Sequence, residues 1–108
     1  GLGCQVDCTY FFGPAPLSND HLELNDLGRQ AVTQVLGKAA LVPMERQMGA
    51  EDFSVLMEKV PGVFLFLGAR NEKKGICCVH HHPGFEVDED VLPAGTAIEV
   101  QFALDYLG

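Results

Sequence analysis

The stretch VFLFL at residues 63–67 is apolar at every position, and it decides which fold the sequence predicts. A strand with one face in water alternates apolar and polar residues, whereas a strand that is covered on both faces does not. We therefore expect a central, doubly covered strand at 63–67 in an α/β domain, with helices on both sides of the sheet.

Helices are predicted before and after this strand in the sequence. Apolar residues recur at helical spacing over 20–36, where Asp20 is the expected N-cap and Gly37 is placed to end the helix. A second helix is expected over 50–59, because two acidic residues suit its N-terminus and Pro61 stops it.

Three other segments have weaker patterns. Residues 4–10 alternate apolar and polar side chains, which predicts a strand, and the stiff linker GPAP follows them at 13–16. Residues 39–46 could form a short edge strand. Residues 98–106 alternate as well, but their apolar residues also fit a helix that would run over 93–107, so periodicity leaves helix and strand open.

The composition indicates one compact acidic domain. The chain has 108 residues, of which 47% are hydrophobic, and this is enough for a single packed core. Its formal net charge of −8, with only seven Lys and Arg, argues against nucleic acid and anionic membranes as partners. No apolar run reaches the roughly 18 residues of a membrane-spanning helix.

The four cysteines are expected to be free thiols. Cys4 and Cys8 would lie on one face of a strand about 13 Å apart, which is too far for a disulfide. Cys77 and Cys78 are neighbours in the sequence, and a bridge between them would be strained. We therefore expect a reducing compartment and a cytoplasmic location.

The segment CCVHHHPGFEVDED at 77–90 has the clearest chemistry. In an extended backbone His81 would point away from His80 and His82, so a local cluster holds one or two imidazoles, whereas zinc needs three or more protein ligands. The segment therefore indicates either part of a metal site or a polar loop. Its acidic end, 86–90, is interpreted as a solvated loop that leads into a helix, because it lacks the ligand order of an EF-hand calcium site.

Two stretches resemble motifs of a known family: MGAEDF at 48–53 and HHPGFEVDE at 81–89. They are similar to C-terminal motifs of metal-dependent amidohydrolases of the aminoacylase–carboxypeptidase type, which include hippurate hydrolase, auxin-conjugate hydrolases and N-acetyl-amino-acid deacetylases. VLPAGTA at 91–97 continues the resemblance into the last helix of that family, and PLSND at 16–20 resembles the return from its inserted lid domain.

The resemblance implies a domain arrangement. Residues 1–13 would be the last strand of a lid, or dimerisation, domain, 14–19 the hinge, and 20–108 the C-terminal part of a catalytic domain whose sheet is flanked by helices. It also favours a helix for 98–106. The chain is then expected to be a fragment of a longer enzyme, and that parent is a candidate homodimer.

The resemblance also assigns roles to the histidines. In the His-x-Pro motif of that family the metal ligand is the histidine two residues before proline, which is His81 here. It would belong to a two-metal centre, with zinc, manganese, cobalt or nickel as candidate metals. His82 is a candidate for contact with the substrate or with the metal-binding histidine, and His80 precedes the motif. In the family the other metal ligands and the glutamate that acts as general base lie far upstream, so no catalytic residue is assigned within this chain.

The leading hypothesis is a fragment of a metal-dependent amidohydrolase that cleaves the amide bond of N-acyl amino acids or related conjugates and is inactive alone. Its expected partners are the N-acyl amino acid and the remainder of the catalytic domain. Two alternatives stay open. One is a free-standing acidic module that binds a metal or another protein through Cys77, Cys78 and the histidines, and the other is a domain without a metal.

Overall fold

The computed structural model describes residues 2–108, and its regular structure is helical. The α-helices are α1 at Leu22–Leu36, α2 at Phe53–Met57 and α3 at Leu92–Leu107. Single 3₁₀ turns lie at Lys38–Ala40, Glu72–Lys74 and Glu89–Val91. Within the described residues, β-pairing is limited to one isolated antiparallel bridge between Asn71 and Ile76.

Helix α1 forms where the apolar spacing predicted it, but its N-cap is not the predicted one. Nδ1 of His21 accepts a hydrogen bond from the backbone N–H of Leu24 at 3.4 Å. The carboxylate of Asp20 is instead occupied by the hydroxyl of Ser18, which donates to it at 2.6 Å. Gly37 ends the helix as predicted, with a φ of +85° that residues with a Cβ rarely adopt.

Helix α3 shows that the segment with ambiguous periodicity, 98–106, is helical. Helix α2 is shorter than the predicted 50–59. It begins only at Phe53, whose backbone N–H donates to the carboxylate of Glu51 at 3.1 Å, and it ends at Met57, ahead of Val60 and Pro61. No helix formed by residues 2–108 is long and apolar enough to cross a membrane.

The apolar core is small and lies where α1 packs against α3. Its buried hydrophobic residues are Leu24 and Ala31 of α1 and Ile98 of α3. Gly28 of α1 is buried as well. The contact between the two long helices is therefore the core of the described structure.

The odd-numbered residues of the VFLFL stretch lie against both long helices at two glycines. A Cβ placed on Gly28 would lie 3.6 Å from a methyl group of Leu65 and 3.7 Å from one of Val63. A Cβ on Gly95 of α3 would come within 2.9 Å of a methyl group of Leu67. At Gly95 the absence of a side chain permits this close approach, whereas a Cβ at Gly28 would make an ordinary van der Waals contact.

The even-numbered residues of the stretch face away from the two long helices. The ring of Phe64 lies 5.5 Å from that of Phe53 in α2, and Phe66 is 64% exposed. Among residues 2–108 the stretch has no strand partner at its edges. The long helices cover one of its faces, and Phe66 is left exposed on the other. The doubly covered strand and the α/β sheet remain predictions for the intact protein.

The predicted strands at 4–10 and 39–46 do not form within the described residues, because no neighbouring strand is there to pair with them. Residues 2–16 are all exposed. Asn19 joins the packed part of the chain, since its side-chain amide donates to the backbone oxygen of Phe64 at 2.9 Å and accepts from its N–H at 2.8 Å. Asn19, the last residue of the predicted hinge at 14–19, is thus hydrogen-bonded to the VFLFL stretch.

Candidate functional site

The candidate site is the histidine loop, residues 77–87, in which every residue is exposed. The backbone N–H of His82 donates to the carbonyl of Val79 at 3.2 Å, which closes a β-turn with His81 as its third residue. The φ of His81 is +67°. A positive φ at the third position is the mark of a type II turn, so the extended backbone assumed for the histidines is wrong.

His81 is the one non-glycine residue with a positive φ among residues 2–108. For a residue with a Cβ this left-handed conformation costs about 1–2 kcal/mol, although His tolerates it better than most. Such strain persists only where the surroundings enforce it, and it is common at functional sites. The backbone thus singles out the same histidine that the His-x-Pro motif does.

His82 is held in one orientation by its own loop. The backbone N–H of Gly84 donates to Nδ1 of His82 at 3.0 Å. In a neutral imidazole with Nδ1 as acceptor, Nε2 carries the proton. His82 therefore presents an N–H donor at Nε2 and has no free nitrogen lone pair for a metal in this arrangement.

His80 and the cysteines do not join His81 in a ligand set. The ring of His80 packs on that of Phe85, with 4.8 Å between the ring centroids. All four cysteines are exposed and free, which confirms the predicted thiols. In the chain as described, from residue 2 onward, no three His, Cys, Asp or Glu side chains form a group that could hold a metal ion.

This donor set limits how the chain can bind a metal. A protein site for zinc uses three or more side-chain ligands, usually His nitrogen, Cys sulfur or carboxylate oxygen. Of the imidazoles in the loop, His80 packs on a ring and His82 uses Nδ1 internally, so His81 is the one best placed to coordinate. The loop therefore offers one metal donor, the imidazole of His81, and a metal centre would need further ligands from other residues.

The acidic end of the loop, 86–90, is exposed and leads into a helix as predicted, with one exception. Asp88 is buried, with 6% of its surface exposed. Its two carboxylate oxygens each accept a hydrogen bond at 2.6 Å, one from the amide of Asn71 and one from the ammonium of Lys74. Lys74 also bonds the carboxylate of Asp90.

These contacts shift the pKa values of Asp88 and Lys74 in opposite directions. The hydrogen bond from Lys74, followed by that from Asn71, lowers the pKa of Asp88 below its ordinary value. The hydrogen bonds to Asp88 and Asp90 raise the pKa of Lys74. Sequence reasoning missed Asn71 and Lys74, since they lie 17 and 14 residues before Asp88 and no local spacing links them to it.

Comparison with known proteins identifies relatives along almost the whole chain. IAA-amino acid hydrolase ILR1-like 6 of Arabidopsis thaliana is 35% identical over 98% of this chain. Thermostable carboxypeptidase 2 of Saccharolobus solfataricus is 36% identical over 98%, and N-acetylcysteine deacetylase of Bacillus subtilis is 30% identical over 96%. The chain spans about a quarter of the length of these curated relatives, namely 24%, 26% and 25%. No solved structure matches the chain.

The match to a family extends over both motifs and the helices that flank them. Residues 3–105 match peptidase family M20/M25/M40. The relatives are hydrolases by name, namely an amino acid conjugate hydrolase, a carboxypeptidase and a deacetylase, so the resemblance seen in the two motifs is confirmed. The chain belongs to peptidase family M20/M25/M40.

Proposed function

We propose that this chain is the C-terminal part of a metal-dependent amidohydrolase that cleaves the amide bond of N-acyl amino acids or related conjugates. The observation that carries the proposal is the position of His81. It is exposed, it is held in a left-handed turn and it lies two residues before proline in the family motif. Support for the substrate class comes from relatives named for amino acid conjugates and for N-acetylcysteine.

In this proposal His81 gives one imidazole nitrogen to a dinuclear centre of zinc, manganese, cobalt or nickel. Such metals, when bound, polarise the scissile carbonyl and lower the pKa of a water molecule. His82 contributes a different group, because Nδ1 accepts from Gly84 and leaves Nε2–H free to donate. We assign that N–H to an oxygen atom of the substrate next to the metal site.

The remainder of the catalytic domain is the proposed partner of this chain. It would supply the other metal ligands and the general base. It would also pair the edges of the VFLFL stretch with the other strands of an α/β sheet and cover the exposed face of the stretch with helices. Phe66, at 64% exposure, is the residue that most needs this cover. Residues 1–13 would belong to the lid, through which the parent dimerises, and the enzyme would act in the cytoplasm.

The test uses the intact enzyme with His81→Asn. Asparagine tolerates the left-handed conformation, so the turn is kept while the imidazole is removed. We expect loss of one metal ion from the centre and of most amidase activity, measured by metal analysis and by hydrolysis of an N-acyl amino acid. His80→Ala is the matched control and should retain both, while His82→Ala should keep the metal and lose part of the activity.

Two results would contradict the proposal. Full activity and full metal content in His81→Asn would exclude the ligand role. Hydrolysis of an N-acyl amino acid by the 108-residue chain alone would exclude an inactive fragment, because a single imidazole cannot hold a two-metal centre. Tight, stoichiometric zinc binding by the chain alone would instead favour a free-standing metal module.

A further inference from the structure

We infer that Asp88 is a positioning residue for the metal site: together with Asn71 and Lys74 it closes the base of the histidine loop and so holds His81 in its strained turn. This inference rests on the proposed role of His81 as a metal ligand. It concerns residues that do not touch a metal and that lie outside the His-x-Pro motif.

The base of the loop is tied at both ends by backbone hydrogen bonds. Asn71 and Ile76 exchange two of them, each 2.9 Å long, directly before the loop begins. The N–H of Asp88 donates to the carbonyl of Ala69 at 2.9 Å, directly after the loop ends. Both ends of the histidine loop are therefore fastened to the segment 69–76.

The side chain of Asp88 joins these two ends. Asp88 follows the loop, whereas Asn71 and Lys74 precede it. The carboxylate of Asp88 accepts a 2.6 Å hydrogen bond from each of these two side chains. The same carboxylate accepts from the N–H of Asp90 at 3.3 Å, which fixes the 3₁₀ turn that leads into α3. Since Asp88 is buried, a change that unpairs these groups leaves polar atoms without water or a partner.

The loop itself has few other restraints. Its residues are all exposed. Its internal order comes from two turn hydrogen bonds, the contact of Gly84 with His82 and the packing of the His80 ring on Phe85. A strained left-handed residue relaxes unless the surrounding chain enforces its conformation. For His81, the charged restraint with a buried partner is the contact of the half-exposed Lys74 with the buried Asp88 at the base of the loop.

The test is metal affinity in the intact enzyme with Asp88→Asn, which keeps the size of the side chain and removes its charge. We expect zinc to bind the chelator-treated variant about tenfold more weakly, as for other residues that support a metal ligand from outside. Saturating zinc should restore kcat, because the catalytic groups are unchanged. Lys74→Met should weaken zinc binding in the same way, and the double variant should be no worse than the weaker single one.

Glu72→Gln is the matched control, since it breaks an exposed ion pair with Arg70 in the same turn without touching Asp88. Unchanged zinc affinity in Asp88→Asn would overturn the inference, and so would a loss of activity that excess zinc does not restore. Hydrogen exchange in the 108-residue chain gives a readout that is independent of His81 as a ligand. The hydrogen-bonded amides of His82, Gly84 and Phe85 should exchange faster in Asp88→Asn while helix content is kept, and equal exchange rates would also overturn the inference.

Discussion

The backbone N–H of Gly84 donates to Nδ1 of His82 across 3.0 Å, so the loop fixes which nitrogen of that imidazole is free. The adjacent His81 makes no such bond and takes the strained position of the turn. This difference supports the roles proposed for the two neighbouring histidines, His82 as a hydrogen-bond donor and His81 as a metal ligand.

The first prediction concerns the tautomer of His82. In the neutral state its Nε2 should carry the proton, and ¹⁵N NMR of the imidazole nitrogens in the 108-residue chain measures this directly. Zinc added at low concentration should then perturb the ring signals of His81 before those of His82. A neutral His82 with its proton on Nδ1, or one that binds zinc first, would show that the contact with Gly84 does not hold in solution.

The second prediction concerns the helix glycines. Gly28→Ala should stabilise the chain by about 0.5–1 kcal/mol, because alanine favours the helix and its Cβ would meet Leu65 and Val63 at ordinary contact distance. Gly95→Ala should gain less, since its Cβ would lie 2.9 Å from Leu67 and that side chain has to move. Urea unfolding followed by circular dichroism compares the two variants, and a larger gain for Gly95→Ala would contradict the packing described here.

The third prediction is the pH dependence of stability. The lowered pKa of Asp88 means that its contribution is complete above its ordinary value of 3.8 and is lost as the pH falls through the lower, folded value. The raised pKa of Lys74 means that its contribution is complete below 10.5 and is lost as the pH rises through the higher, folded value. Stability should therefore fall at both extremes.

Urea midpoints measured across that range check this dependence. Lys74→Met should lower the plateau between the two extremes and flatten both flanks, since it removes one partner and unpairs the other. Glu72→Gln should leave the profile unchanged, because its ion pair is exposed and separate from Asp88. A wild-type profile that Lys74→Met does not alter would refute a role for this ion pair.

The fourth prediction concerns the thiols. Because Cys4, Cys8, Cys77 and Cys78 are exposed and free, all four should react rapidly with a thiol reagent in the native chain. Mass spectrometry after alkylation without a reductant counts them. A chain that takes up two labels and is two daltons light would contain a disulfide, contrary to the structure.

Local patterns predicted the elements that local forces determine. The apolar spacing of α1 and the glycine that ends it needed no distant contact, and both are confirmed. The predicted N-cap, Asp20, was wrong because its carboxylate accepts from the hydroxyl of Ser18, and the cap is His21, a residue that sequence preference does not favour there. For residues 98–106 periodicity alone could not decide between helix and strand, and the family resemblance favoured the helix that the structure has.

The candidate site could be located from its sequence motif, but its geometry could not be predicted from the sequence. His-x-Pro identifies His81, yet the left-handed turn depends on how the loop folds back on itself. The extended backbone that the alternation argument assumed is absent at His81. Asp88 looked solvated because it lies in an acidic run, and only the fold brings Asn71 and Lys74 to it. Contacts of this kind leave no trace in the spacing of residues.

The VFLFL stretch has a consequence for the behaviour of the chain in solution. It carries no charge and no proline, and within the described residues Phe64 is the one member whose peptide groups are paired, through Asn19. Unpaired, apolar strand-forming segments are templates for adding further strands and for fibril growth. Produced without a cover for Phe66, the chain should self-associate edge to edge, so its solubility would depend on whatever normally shields this segment.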